Sequence, residues 1–325
     1  MRIVVLDGHT MSPAGDNPWD AIAALGDFTL YDRTPENRIL ERAKQADILV
    51  TNKTPLNALT LEALPDLKCV IVLATGYNVV DIETAGRLGI PVCNIEAYGV
   101  NSVAQHVMAL LLELCRGCGL HDASVKRGDW NKAEDFTYWL TPQRELTGMT
   151  MGIVGFGNIG RRVGELAHAF GMHVLAFSPS PKDTPGYEPF RFADLDTVFR
   201  ESEVVSLHCP LTRTTEHLVN AKRIETMRDK AFIINTARGP LINESDVAAA
   251  LRSGKLGGLG TDVLSAEPPA KDNPLLTAPN TLITPHLAWA SLHARKNIMR
   301  MAADNIKAFL AGSPISVVNA AYLKK

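Results

Sequence analysis

The sequence predicts an α/β fold of two parallel-sheet domains, and three observations carry that prediction. Short apolar runs alternate with helical stretches, the alternation comes as two separate series, and the second series opens on a glycine-rich turn between a strand and a helix. The first series places strands at Ile3–Leu6, Phe28–Tyr31, Ile48–Thr51, Cys69–Leu73 and Pro91–Cys93. Helical patterns such as Trp19–Leu25 and Glu36–Ala46 separate them, as βαβ units require. The second series begins near Met149, with strands at Met151–Val154, His173–Phe177, Val204–Leu207, Ala231–Asn235, Leu259–Val263 and Thr281–Thr284. Between the two series, Ser102–Leu120 carries Val103, Val107, Leu110, Leu111 and Leu114 at helical spacing and reads as one long bridging helix. A second long helix, Ser291–Ala311, is closed by Gly312 and Pro314 and starts only after the second strand series has ended. The expected domains are therefore residues 1–99 plus 290–325, discontinuous in sequence, and residues 100–289.

Composition narrows the function classes. The 325 residues are 46% hydrophobic, 21% charged and 6% aromatic, an ordinary globular balance that leaves no room for disordered, collagen-like or disulfide-scaffold readings. The 33 basic and 35 acidic residues nearly cancel and are scattered, so no basic stripe offers itself to nucleic acid or to an anionic membrane. The first apolar run is too short for a signal peptide, and no later run is long and uncharged enough to span a bilayer, so a cytoplasmic protein is expected. The five cysteines, Cys69, Cys93, Cys115, Cys118 and Cys209, are too few and irregular for a disulfide framework. Cys115 and Cys118 form a CxxC with His121 after it, but no second pair completes a zinc site, and no metal is expected.

Gly155-Phe156-Gly157-Asn158-Ile159-Gly160 follows the strand Met151–Val154 and opens the helical run Arg161–Gly171. Alone, GxGxxG is a weak signal. Placed between a strand, a helix and a next strand, it matches the dinucleotide-binding fingerprint. Gly155 permits the tight turn, Gly157 lets the backbone approach a pyrophosphate, and Gly160 lets helix pack on strand, while the turn at Asn158 and Ile159 offers N–H groups and the positive end of the helix dipole. The acid that the fingerprint places about 20 residues on, to hold the adenosine ribose, is Ser178 here. Without that carboxylate a 2′-phosphate is not repelled, and Ser178, Ser180 and Lys182 offer donors and a charge. NADP(H) is thus admissible beside NAD(H); Asp183 offers an alternative ribose acceptor, and no arginine stands in this stretch.

In an open parallel sheet, ligands bind beyond the carboxyl ends of the strands. Three ionisable groups stand just past strands of the second series: Arg238 in Thr236-Ala237-Arg238-Gly239, Glu267 in Leu264-Ser265-Ala266-Glu267, and His286 after Thr284-Pro285. Together they suit hydride exchange at a 2-oxo or 2-hydroxy acid. An imidazole gives a proton to a developing alkoxide near neutral pH, a carboxylate holds the imidazole, and a guanidinium fork grips a carboxylate.

With these residues the sequence resembles the D-isomer-specific 2-hydroxyacid dehydrogenases over nearly its whole length, through Gly155–Gly160, Ile234–Gly239, Asp262–Pro268 and Thr284–His286. The resemblance implies a flavodoxin-like substrate domain and a Rossmann dinucleotide-binding domain with a cleft between them, and it makes Arg238 the substrate ligand, His286 the acid/base and Glu267 its partner. It further implies that Thr75 and Gly76, in Ala74–Asn78, take the substrate carboxylate through backbone N–H groups. Asp262 would orient the nicotinamide carboxamide, Thr236 and Ala237 would lie against the ring, and Cys209 and Pro210 would line the adenosine half. His208 as a second acid/base has little support, and His106 reads as a structural or domain-interface histidine. Trp289, three residues past His286, and Lys53 in Asn52-Lys53-Thr54-Pro55 are similar to the glycerate dehydrogenase/hydroxypyruvate reductase branch, which implies a small substrate such as hydroxypyruvate or glyoxylate. The family also implies a homodimer built largely through the cofactor domain. Competing readings are a short-form phosphoglycerate dehydrogenase, a D-lactate dehydrogenase and, from another class, an NAD(H)-sensing corepressor-like binding protein.

Overall fold

The computed structural model describes residues 1–180 and 183–323, which pack as two compact units, Met1–Gly99 with the chain from Ala290 onward, and Val100–Trp289. In the first unit, β1 (Arg2–Val5), β2 (Asp27–Leu30), β3 (Ile48–Thr51), β4 (Cys69–Val72) and β5 (Val92–Cys93) form an all-parallel sheet in the order β2-β1-β3-β4-β5. That order is flavodoxin-like. Strands β3 and β4 are buried at every position, which explains why they read as unbroken apolar runs rather than alternating ones. The Leu292–Leu310 helix belongs to this unit and buries Ala294, Ile298, Ala302 and Ile306, an i, i+4 stripe, with Ser291 capping its first turn through Oγ.

The second unit holds seven parallel strands: β6 (Thr150–Val154), β7 (His173–Phe177), β8 (Phe190–Phe192), β9 (Val204–Leu207), β10 (Ala231–Asn235), β11 (Leu256–Thr261) and β12 (Thr281–Ile283). Their order, β12-β11-β10-β9-β6-β7-β8, is the Rossmann arrangement extended by one strand, with the direction of winding reversing between β6 and β9. The edge strand β8 has no counterpart among the strands read from the sequence. Its two phenylalanines join Phe156 in an aromatic cluster, Phe156–Phe190 at 5.1 Å and Phe190–Phe192 at 5.1 Å between centroids.

The long helix expected over Ser102–Leu120 is two helices, Val100–Arg116 and Cys118–Lys126, bent by 56°. Gly117 makes the break: its φ of +55° is left-handed, a conformation that ends a helix and that glycine adopts without a Cβ penalty. The Val100–Arg116 helix packs its buried Val107, Leu110 and Leu111 onto the second sheet. It approaches β11 closely because that strand carries glycine: a Cβ on Gly258 would lie 2.9 Å from Leu114, and one on Gly260 would lie 3.0 Å from Leu110.

Candidate functional site

All the site residues expected in the second unit stand at the carboxyl edge of its sheet, because parallel strands deliver their C-terminal loops to one rim. At the point where the winding reverses, β6 runs into Gly155–Gly160 and β9 into His208–Pro210. Gly155 has φ +98°, and a Cβ there would lie 2.6 Å from the backbone of His208 and Cys209, so only glycine allows the two loops to meet. A Cβ on Gly160 would fall 2.2 Å from the Gly155 carbonyl oxygen; one on Gly157 would meet nothing within 4 Å. Gly155 and Gly160 are therefore glycines for packing, and Gly157 is a glycine that faces open space. The Asn158–Ala169 helix starts there, with Gly157 as an N-cap that provides no side-chain acceptor, and its first intrahelical bond comes from the Arg161 N–H, which leaves those of Asn158, Ile159 and Gly160 without a helical acceptor.

A nicotinamide dinucleotide fits this edge. Beyond the glycine cradle, Thr236 Oγ1 is buried without a hydrogen-bond partner, one of four such side-chain atoms among the described residues. Cys209 is half-buried, and burial pushes its thiol pKa up, so it presents a neutral contact surface rather than a nucleophile. The His208 ring turns back to bond Ser206 Oγ at 2.8 Å, and desolvation lowers its pKa to about 4, which makes it a neutral structural imidazole. Ser178 donates its hydroxyl to the Ser180 carbonyl at 3.2 Å. The loop after β7 does have an arginine, which its local sequence lacks: Arg161 reaches across from the glycine-motif helix and donates to the Asp183 carbonyl at 2.9 Å. Lys182 lies outside the described residues.

The catalytic candidates meet through backbone packing. Gly239 follows Arg238, and a Cβ on it would overlap the Leu264–Ser265 backbone at 2.0–2.4 Å, so the turn after β10 nests against the loop that carries Glu267. Glu267 accepts from the Leu264 N–H at 3.1 Å with one oxygen and bonds His286 Nδ1 at 2.6 Å with the other. Because a carboxylate only accepts, Nδ1 is the donor and Nε2 is left for proton transfer. Arg238 is exposed and donates Nη1 to the Ala237 carbonyl at 2.7 Å, with Asn235 holding this turn through both its amide atoms. Glu244 was not singled out by sequence reasoning, yet it fastens the loop before Glu267 by accepting from Ser265 N at 2.8 Å, Ser265 Oγ at 2.7 Å and Asn273 Nδ2 at 2.8 Å.

His286 itself sits at φ +52°, a left-handed backbone uncommon outside glycine that persists only when its surroundings enforce it. Asp262 supplies the enforcement. Its buried carboxylate accepts from Thr284 Oγ1 at 2.5 Å, Leu287 N at 2.9 Å and Ala288 N at 2.8 Å, and its carbonyl takes the His286 N–H at 2.9 Å. With both oxygens engaged by the loop, Asp262 anchors the segment that carries His286. Trp289 Nε1 donates to the His286 carbonyl at 2.9 Å and closes the same loop.

In the first unit, Lys53 and the Thr75–Gly76 turn follow β3 and β4 at that sheet's carboxyl edge. Asp7, just past β1, accepts the backbone N–H groups of Asn52 at 2.8 Å, Lys53 at 2.5 Å and Thr54 at 2.8 Å, and so fixes the loop that carries Lys53. Thr75 donates its hydroxyl to the Ile95 carbonyl at 3.0 Å. Cys115 is buried, with its thiol pushed up to about 11, whereas Cys118 is exposed beyond the Gly117 break, so the CxxC cysteines lie in different environments. Among the described residues no group of three or more His, Cys, Asp or Glu side chains gathers to hold a metal, and no single helix is long and apolar enough to cross a membrane.

Residues 108–288 match the sequence model of the D-isomer specific 2-hydroxyacid dehydrogenase NAD binding domain. The chain is 46% identical over 322 residues to a hydroxypyruvate reductase of Blautia hydrogenotrophica, covering 98% of this chain and all of the relative. It is 43% identical over 289 residues to a glycerate dehydrogenase of Methylorubrum extorquens, covering 88% and 90%. Among solved structures, D-lactate dehydrogenase from Aquifex aeolicus, complexed with NAD and lactic acid, superposes with a TM-score of 0.81 at 30% identity over 96% of each chain. A nucleotide-binding edge, a paired histidine and glutamate beside it, and relatives matched nearly end to end agree: the chain belongs to the D-isomer specific 2-hydroxyacid dehydrogenase family.

Proposed function

We propose that the protein reduces small 2-oxo acids, hydroxypyruvate and glyoxylate foremost, to the D-2-hydroxy acids D-glycerate and glycolate, and catalyses the reverse. The observation that carries this reading is the 2.6 Å bond from His286 Nδ1 to Glu267, which commits one ring nitrogen and frees Nε2 as the acid at the edge bearing the glycine cradle. The names of the Blautia and Methylorubrum relatives support the substrate class. When bound, the nicotinamide dinucleotide supplies the reducing equivalent. Gly155, Gly157, Asn158, Ile159 and Gly160 hold its pyrophosphate, Thr236 and Ala237 border the ring, and Cys209 and Pro210 border the adenosine. His286 gives the carbonyl oxygen its proton, Glu267 stabilises the imidazolium, and Arg238 grips the substrate carboxylate through its planar fork. In the first unit, the Thr75 and Gly76 amides are substrate-carboxylate donors and Lys53 a cation for an anionic substrate, and Trp289 limits substrate size.

Either NAD(H) or NADP(H) suits the Ser178 loop, which presents hydroxyls where a ribose-binding acid would repel a 2′-phosphate. A homodimer in the cytoplasm completes the reading; the exposed Trp130, Phe136 and Trp139 of the second unit supply apolar surface for it. The test follows NADH and NADPH oxidation with hydroxypyruvate, glyoxylate, pyruvate and 3-phosphohydroxypyruvate. Hydroxypyruvate turnover that is lost in His286→Ala is expected; turnover confined to pyruvate or to the phosphorylated acid would replace the substrate assignment, and none at all would overturn the reading.

A further inference from the structure

The loop that carries His286 is gripped from outside its own sheet. Ser102 and His106 lie one turn apart on the Val100–Arg116 helix and therefore share a face. His106 Nε2 lies 2.9 Å from Thr284 Oγ1, two residues before His286, and Ser102 Oγ donates to the Ala288 carbonyl at 2.6 Å, two residues after it. The proton count at Thr284 fixes the direction of the bonds. Its single hydroxyl proton goes to the Asp262 carboxylate at 2.5 Å, which has no proton to give, so Thr284 Oγ1 accepts from His106 and Nε2 is the protonated nitrogen. His106 thus holds Thr284 in the rotamer that engages Asp262, and Asp262 holds Leu287 and Ala288 on the far side of His286. His106 Nε2 is also 3.6 Å from Asp262 Oδ1.

We propose that Ser102 and His106 are positioning residues of the reaction, a two-point clamp from one helix face that fixes the left-handed backbone of His286 and so the aim of its Nε2. The inference rests on His286 being the proton donor. It requires that loosening either grip lower the rate of the proton-transfer step while leaving substrate binding nearly unchanged. It also requires that His106 and Thr284 act in one line and Ser102 in another.

The experiment compares His106→Leu, Thr284→Val, Ser102→Ala and the pairs H106L/T284V and H106L/S102A, with His106→Gln and Thr284→Ser restoring the donor and the hydroxyl. For each, kcat and KM for hydroxypyruvate are measured beside the downfield proton resonance of His286 Nδ1–H, assigned by its disappearance in Glu267→Gln. Each leucine, valine or alanine variant is expected to lower kcat about tenfold, the worth of one hydrogen bond, with KM within twofold, and to broaden or displace the resonance. H106L/T284V should be no worse than its singles, H106L/S102A should multiply them, and the conservative variants should recover. An unmoved resonance with kcat within twofold, or multiplied losses in H106L/T284V, would overturn the clamp. Absence of turnover in the wild-type enzyme would instead remove the functional reading, and the resonance alone would then decide the clamp.

Discussion

Gly157 and Gly160 are three residues apart in one motif, and the structure gives their side-chain hydrogens opposite work, so replacing each with alanine separates packing from ligand approach. A methyl group on Gly160 would stand 2.2 Å from the Gly155 carbonyl oxygen and 3.1 Å from an Ile153 methyl. The backbone oxygen must retreat by about 1 Å to reach van der Waals distance, an overpacking cost of about 1–3 kcal/mol. On Gly157 the methyl meets nothing within 4 Å, at a φ of −84° open to any residue. Alanine there gains about 0.4–1 kcal/mol by restricting the unfolded chain and gives back a similar amount as the poorer N-cap, a net change near zero. On the proposed cofactor placement, the same methyl fills the space through which the pyrophosphate reaches the first helical turn; loss of one charge-assisted bond, about 1.5–3 kcal/mol, weakens binding roughly 10- to 150-fold. Urea unfolding monitored by circular dichroism and fluorescence titration with NADH read the two quantities independently. Gly160→Ala should be less stable, and Gly157→Ala should be as stable as wild type but a poor binder. Wild-type affinity in Gly157→Ala would show that the backbone at 157 does not face the dinucleotide.

The same geometry sets three further outcomes. Introducing the missing acid, Ser178→Asp, should cost NADPH binding about 1.4 kcal/mol or more, at least tenfold, and leave NADH nearly unaffected; equal losses in a titration of both would refute the placement of the 2′-phosphate beside this loop. His208 has a folded pKa of about 4 against 6.5 when unfolded, so the unfolded chain binds the proton first, and stability falls as pH drops through that interval, by up to about 3 kcal/mol. Urea unfolding at pH 7 and pH 4.5 should show a steeper loss in wild type than in His208→Gln, and parallel losses would contradict it. In native protein at pH 8 a chromogenic disulfide reagent should label Cys118 rapidly, with the fast phase gone in Cys118→Ser, while the buried Cys69, Cys93 and Cys115 should react only on unfolding.

Parallel sheets write much of their architecture locally, and that part was legible in the sequence. A strand buried on both faces is an apolar run, and its C-terminal neighbour is a rim residue, so Arg238, Glu267 and His286 could be placed from the residues just past β10, β11 and β12. The glycine motif was legible for the same reason, since turn, cradle and helix start are contiguous. Local reading failed at Gly117, because a lone glycine inside an apolar helical stripe is a weak break signal and its left-handed φ is set by the chain around it. It failed at β8 as well, whose three residues carry too short a pattern to register.

The bonds that aim the site were illegible for a stronger reason: their partners are remote in sequence. His106 and Thr284 are 178 residues apart, Ser102 and Ala288 186, and nothing near either member of a pair announces the other. What brings them together is the approach of the Val100–Arg116 helix to the second sheet, and that approach depends on Gly258 and Gly260, which in a strand look like defects. With side chains there, Leu110 and Leu114 would be pushed outward, and Ser102 and His106, on the same helix, would move with them. The glycines of β11 therefore belong to the same arrangement as the histidine they never touch: they admit the helix, the helix holds Thr284 and Ala288, and those two residues hold His286 in a backbone conformation it would not keep alone.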